Sequence, residues 1–432
     1  MERREFVKGL AAGLVAVPLL REAAAALGSR LESLRADLGA SAQGPAYWER
    51  VGREFMLNPD LVHLNTGSVG AAPQMVIEAL AACARQIEGD PVHNVWGGVG
   101  DAMEEVRARA AAFIGADVDE VMITRNTTEG MNETAVGLHL SPGDEVLTTD
   151  HEHGGGMACW QYLAKHAGVR VRYLEIPDPV QSKEQLVGLV AAQLTPKTRV
   201  CSFSHVCTIT GMVFPMAEVA ALTRPRGIVL VCDGAQVPGM LQVDVKRLGV
   251  DVYCSSSHKW MLAPKGSGLL YVRREMQERV APPMLSNGMH AYTGATGTRN
   301  VPTIVAHGVA IDFHNAIGRD QVEARCRQLS SLVRERLGAI PGLTCLSPAA
   351  PELSSAICTF AVDRARGDSS QIATRLFAEH RIVVKVAQGT YAYVPPEEAR
   401  PRNHNALRIS THIYNSERQV ERLADALASM VG

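Results

Sequence analysis

The nine cysteines, Cys83, Cys159, Cys201, Cys207, Cys232, Cys254, Cys326, Cys345 and Cys358, are odd in number and include no CxxC pair. That argues against a disulfide framework and against a zinc site. Cys201, Cys232 and Cys254 sit inside apolar runs, where a free thiol behaves as a small hydrophobe. Formal net charge is only −2, with acids and bases mixed along the chain. Without a basic stripe or aromatics interleaved with bases, nucleic acid is not an expected partner. Internal repeats and low-complexity tracts are also missing, which excludes a repeat architecture.

Nor does the N-terminal apolar run reach the length of a membrane span. In "MERREFVKGLAAGLVAVPLLREAAAALGS" the apolar part extends from Leu10 to Leu20, which suits a signal peptide better than a transmembrane helix. Arg3-Arg4 followed by Phe6 and Lys8 resembles a twin-arginine export signal, and the alanines at 23–26 offer small residues for cleavage. An ordinary amphipathic helix is the alternative. The expectation is a signal segment over 1–28, with the twin-arginine export machinery as partner and a periplasmic or exported destination. If the segment is a plain helix, the destination is the cytoplasm. Export in the folded state would also let buried thiols survive an oxidising compartment.

The 432 residues suffice for two domains. A helical lead-in is expected over 29–60. From "VHLNTGSVGAAP" (62–73) onward, short β-prone apolar runs alternate with helical stretches. The candidate strands are "EVMITR" (120–125), "DEVLTTD" (144–150), "RVRYLEI" (170–176), "RVCSFSHV" (199–206), "IVLVCDGA" (228–235), "VDVYCSS" (250–256) and "GLLYVR" (268–273). Such alternation predicts an α/β domain over 61–316, a mostly parallel seven-stranded sheet with helices on both faces. A long amphipathic helix over 318–340 and shorter strands beyond it predict a smaller α+β C-terminal domain over 317–432.

In an open α/β sheet the ligand site lies at the carboxyl ends of the strands. Five pieces of sequence fall there or near it. "SSSHKWMLAPKGSG" (255–268) delivers Lys259 straight after a strand, either as a solvated loop lysine or as a reacting amine. "VCDGAQVPG" (231–239) ends a strand on Asp233, which is a helix cap or a buried carboxylate with a task. "TRNTTEGMN" (124–132) opens a helix with hydroxyls and free N–H groups, an ordinary cap or a phosphate site. "TTDHEHGGGMACW" (148–160) holds His151 and His153. No third ligand accompanies them, so a flat imidazole against a planar cofactor is favoured over a metal, with a plain loop histidine as the alternative. "ALRISTHIYNS" (406–416) places Arg408 on a strand. Buried, it needs a partner, either a structural carboxylate or a bound one gripped by its planar fork.

Taken together, these blocks resemble the aminotransferase class V family of fold-type I pyridoxal-phosphate enzymes, from about residue 60 to the C-terminus. "HLNTGSVGAAP", "DHEHGG" and "SHVCTITGMVFP" (204–215) are similar to its isopenicillin N epimerase-like branch. The resemblance implies pyridoxal 5'-phosphate as cofactor, an amino acid or amine as substrate, and a homodimer with shared active sites. It implies that Lys259 forms the Schiff base with the cofactor aldehyde and moves the substrate proton. Asp233 would pair with the pyridine nitrogen, which improves the ring as an electron sink. Gln236 and Thr208 would lie near the ring oxygen, and His153 would stack on the ring. Thr128, Ser256 and His258 would hold the phosphate, with a backbone N–H from Thr127. Thr298, in "TGATGTRN" (293–300), would reach the partner subunit's phosphate. Arg408 would bind the substrate carboxylate, with Asn65 beside it, while Asn94, Trp96 and Arg299 are further pocket candidates.

One departure stands out. Desulfurases of the family carry a nucleophilic cysteine shortly before the C-terminal arginine. "VAQGTYAYVPPEEARPRNHNALR" (386–408) has none, although Tyr391 and Tyr393 occupy that region. Persulfide-forming desulfuration is therefore not expected. Transamination, epimerisation and β-elimination of a C–S bond remain open, with non-catalytic cofactor binding as the rival from another class.

Overall fold

Alternate residues along each strand of the main sheet enter different apolar layers, as a two-sided sheet requires. Ile123, Leu147, Cys201, Phe203, Leu230 and Cys232 face one layer. Met122, Val146, Val200, Val229 and Val231 face the other. The computed structural model describes residues 28–33, 36, 44–387 and 404–431. The export-signal expectation, apart from Gly28, and Tyr391 and Tyr393 lie outside the described residues.

Strands are numbered in chain order: β1 (Val62–His63), β2 (Val121–Thr124), β3 (Glu145–Thr149), β4 (Arg170–Leu174), β5 (Thr198–Ser204), β6 (Val229–Asp233), β7 (Val252–Ser256) and β8 (Gly268–Val272). After them come β9 (Leu343–Cys345), β10 (Ile357–Val362), β11 (Ile382–Val383), β12 (Lys385–Ala387) and β13 (Ala406–Ser410). The main sheet has seven strands in the order β2-β8-β7-β6-β5-β3-β4. Its neighbours from β7 to β4 are parallel, and β8 alone runs against the rest. The segment 257–267 between β7 and β8 holds no helix. A parallel return needs a crossover of a dozen residues or more, so a link this short favours an antiparallel pair.

The helices Gln74–Gly89, Gly98–Phe113 and Val301–Ile317 cover the first layer. The helices Thr127–Gly137 and Gly154–Ala167 cover the second, anchored by Met131 and Trp160. Gly318, at φ +99°, breaks the long C-terminal helical run into Val301–Ile317 and Arg319–Gly338. A four-stranded antiparallel sheet, β12-β13-β10-β9, follows with its own core around Leu329, Phe360 and Leu407. Val62 and Leu64 join that second core. β1 pairs in parallel with β11, and Asn65 bridges to Ser410. Segment 62–65 thus lies against the small domain, ahead in the chain of every strand of the large sheet.

Candidate active site

Five parallel strands end on one rim of the main sheet. β7 leads to Lys259, β6 ends on Asp233, β5 leads to Thr208, β3 leads to His153, and β2 leads into the helix Thr127–Gly137. The small sheet faces that rim with β12 and β13. Between them lies a cavity of about 430 Å³, lined by Thr127, Thr128, His153, Thr208, Asp233, Ser256, His258, Lys259 and Arg408 among others. Nine of the fifteen residues singled out from the sequence for the site therefore line this cavity, eight from the main-sheet rim and Arg408 from the small sheet. Gln236 and Asn65 lie just behind it. Thr298 is exposed, on a loop away from the cavity of its own subunit. Asn94 and Arg299 are tied to backbone carbonyls elsewhere, and neither lines the cavity.

Local sequence explains each placement. Asn126 caps the helix Thr127–Gly137, its side chain accepting the Glu129 N–H at 2.9 Å, as a short polar residue does at an N-cap. The Thr127 N–H donates to Ser256 Oγ at 2.9 Å, and the two hydroxyls are 2.8 Å apart. Thr127 and Ser256 thus form one unit, so the Thr127 N–H expected at a phosphate is engaged by Ser256 here. His153 caps the next helix, its Nδ1 accepting the Gly155 N–H at 3.0 Å.

Two close approaches account for the run Gly154-Gly155-Gly156. A Cβ on Gly156 would lie 2.7 Å from Asp233 Oδ2, and one on Gly155 would collide with Thr128 Oγ1. Glycine at both positions keeps those oxygens clear. The other Asp233 oxygen accepts the Ala235 N–H at 2.9 Å, which fixes the carboxylate.

Electrostatics sort the cavity groups. Burial lowers the Lys259 amine from its ordinary value to about 8; Asp233 opposes this and Arg408 adds to it. Burial, then the Lys259 charge, lowers His153. His258 is pushed down to about 4 by burial and by Lys259, and its Nδ1 has no hydrogen-bond partner. Behind the rim, Glu152 is raised to about 7 by burial, against hydrogen bonds from Ser204 and Thr149. Against burial, which lowers it, His151 is raised to about 10 by Asp150 at 2.7 Å and Asp178 at 2.9 Å. It is a buried ion pair; no group of metal-ligand type is present among the described residues.

Arg408 is 4% exposed. Its Nη1 donates to the Thr208 carbonyl and hydroxyl, both at 2.9 Å, and its Nη2 donates to Asn65 Oδ1 and Ser68 Oγ, both at 2.9 Å. Nε has no partner. No carboxylate pairs with the guanidinium among the described residues, and burial lowers it to about 10. A buried cation held only by neutral groups leaves room for a bound anion. Ser68 drew no notice in the sequence because nothing local marks it.

Gln236, expected near the ring oxygen, is held behind the cavity wall by three hydrogen bonds. Its amide N–H groups go to the Gly67 carbonyl at 2.9 Å and Thr208 Oγ1 at 3.1 Å, while its Oε1 accepts the Trp260 indole N–H at 2.7 Å. It acts on the cavity through Thr208.

A buried lysine, a fixed carboxylate, a helix N-terminus and a buried arginine thus meet around one cavity. The chain belongs to the aminotransferase class-V family, whose model matches residues 64–423. It is 33% identical to the isopenicillin N epimerase of Amycolatopsis lactamdurans over 89% of this chain and 98% of that protein. It is 27% identical to a probable cysteine desulfurase of Pyrococcus abyssi, over 89% and 97%. Among solved structures it resembles the complex between the cystine C–S lyase C-DES and its reaction product cysteine persulfide. The TM-score there is 0.71, with 25% identity over 86% of this chain and 98% of that one.

Proposed function

We propose that this protein is a pyridoxal-phosphate enzyme that moves the α-proton of an amino acid, with epimerisation as its reaction. One observation carries the reading: Lys259, Asp233 and a carboxylate-free buried Arg408 open onto the same cavity. The residues present fit the cofactor. His258 Nδ1 and Arg408 Nε are buried without partners, and glycines keep Asp233 and Thr128 clear. Pyridoxal phosphate, when bound, supplies an electron sink for the charge left at the substrate α-carbon.

Each residue then has a definite task. Asp233 holds a proton on the cofactor's ring nitrogen. Thr128, His258 and the Thr127–Ser256 pair receive the phosphate at the start of a helix, where backbone dipoles favour an anion. His153 packs on the ring face. Arg408 orients the substrate through its carboxylate, with Asn65, Ser68 and Thr208 fixing the guanidinium. Lys259, lowered to about 8, removes the α-proton near neutral pH, and inversion follows when a proton is returned to the opposite face of the α-carbon.

Epimerisation is favoured by the epimerase relative at 33% identity. A β-elimination reading draws on the likeness to C-DES; the absence of a cysteine from 386–408 argues against a persulfide carried on that loop. We also propose a homodimer. Val92, Trp96 and Tyr292 are exposed at 59%, 60% and 43%, apolar surface that a second subunit would cover, and Thr298 would reach that subunit's phosphate.

The test is α-proton exchange. The holoenzyme is incubated with single amino acids in deuterated water, and loss of the α-proton signal is followed by NMR together with optical rotation. Exchange with loss of optical activity, abolished in Lys259→Ala, is expected. No exchange with any amino acid, or undiminished exchange in Lys259→Ala, would refute the assignment.

A further inference from the structure

A second cation shares the substrate wall, and sequence reasoning passed over it. Lys385 lines the same cavity as Arg408. It lies on β12 directly opposite Arg408 on β13, as register partners of an antiparallel pair. Residues so paired project from the same face of a sheet, with Cβ atoms about 4.5–5.5 Å apart, and like charges there are destabilising. No carboxylate relieves this pair. Lys385 forms no ion pair or hydrogen bond among the described residues, and neither does any acid approach Arg408. Among the described residues Asp233 is the one carboxylate lining the cavity, against Lys259, Lys385 and Arg408. Burial and Lys259 lower His153 most, and the Lys385 charge adds a little to that lowering, which places it within the field of the site. The phosphate-ready groups, Thr128, Ser256 and His258, belong to the main sheet, whereas Lys385 and Arg408 belong to the small one.

We propose that Lys385 is a specificity residue that reads a second, side-chain carboxylate, so that the preferred substrates are dicarboxylic amino acids. The inference rests on the function proposed above. Arg408 takes the α-carboxylate, and Lys385 takes a carboxylate one to three methylenes further out. The adjacent placement on paired strands fits two anionic groups of one small molecule. Lys385 is itself exposed, so replacing it leaves the fold intact.

The experiment is a spectral titration of the holoenzyme with aspartate, glutamate and 2-aminoadipate, each against a neutral counterpart: asparagine, glutamine and norleucine. One of the dicarboxylates is expected to bind at least about tenfold more tightly than its neutral counterpart, as for one charge-assisted hydrogen bond. Lys385→Met is expected to erase that preference while leaving the neutral amino acids unchanged, and Lys385→Arg to keep it. Equal binding of charged and neutral amino acids would overturn this inference and leave the proposed function standing. So would a preference that survives in Lys385→Met, or a Lys385→Met variant that loses pyridoxal phosphate instead. No spectral response to any amino acid would overturn both.

Discussion

Lys259 is a buried amine without a hydrogen bond to its Nζ among the described residues, and this makes a prediction about stability opposite in sign to that for most active-site losses. Its ordinary value of 10.5 falls to about 8 in the folded protein. Each tenfold difference is worth about 1.4 kcal/mol, so holding the charged amine costs the cofactor-free fold about 3 kcal/mol at pH 7. Lys259→Met keeps the length and removes the charge. The cofactor-free variant should therefore be about 3 kcal/mol more stable than the wild type at pH 7, although it is inactive. The pH dependence follows from where each state loses its proton. Below pH 8 both states hold it and the gap is constant. Between pH 8 and 10.5 the folded state releases it first, so the wild type gains and the gap narrows to about 1 kcal/mol at pH 10. Urea denaturation of both cofactor-free proteins at pH 7 and pH 10 measures this directly. A variant no more stable at pH 7, or a gap that does not narrow by pH 10, would refute the account of Lys259.

Further predictions concern other groups. His205, His307, His314 and His412 are buried and pushed down to about 4, 3, 3 and 4 by burial. The unfolded chain takes up these protons first, so their stability contribution is full above about pH 6.5 and falls as pH drops. Glu152 and His151, both raised, offset about half of this. Counting His258, also lowered to about 4, the net expectation is a loss of about 4 kcal/mol between pH 7 and 5.5, and urea midpoints that do not move would contradict it. Gly156→Ala places a Cβ against Asp233 and should weaken pyridoxal-phosphate binding at least about tenfold; an unchanged fluorescence titration would remove Asp233 from its assigned place. Replacing Arg3 and Arg4 by lysines should retain the protein in the cytoplasm, and cell fractionation showing undiminished export would refute the twin-arginine reading.

Lys259 and Asp233 were legible in the sequence because each follows an apolar strand directly, and in a parallel sheet that position alone fixes the rim on which a side chain arrives. The seven strands were legible for the same reason. What sequence did not reveal depends on long-range pairing. "IVVKVA" reads as a strand with one lysine, and only its register with β13 sets Lys385 beside Arg408. Gln236 sits three residues past Asp233, but its amide is claimed by Gly67, Thr208 and Trp260, partners far away in sequence. The reversed direction of β8 turns on the short link after Lys259, whose consequence for strand direction is visible only with the pairing in hand.

The early strand β1 sets a timetable for synthesis. Asn65 meets Arg408, 343 residues later in the chain, and the Gly70 N–H reaches back to the His258 carbonyl at 3.0 Å. Segment 62–65 must wait for residues 382–410 before its strand neighbours exist. A nascent chain can complete the large sheet and expose Lys259 while the wall carrying Arg408 is still untranslated. The hydrogen bonds from Arg408 to Asn65, Ser68 and Thr208 are therefore among the last contacts of the cavity to become possible.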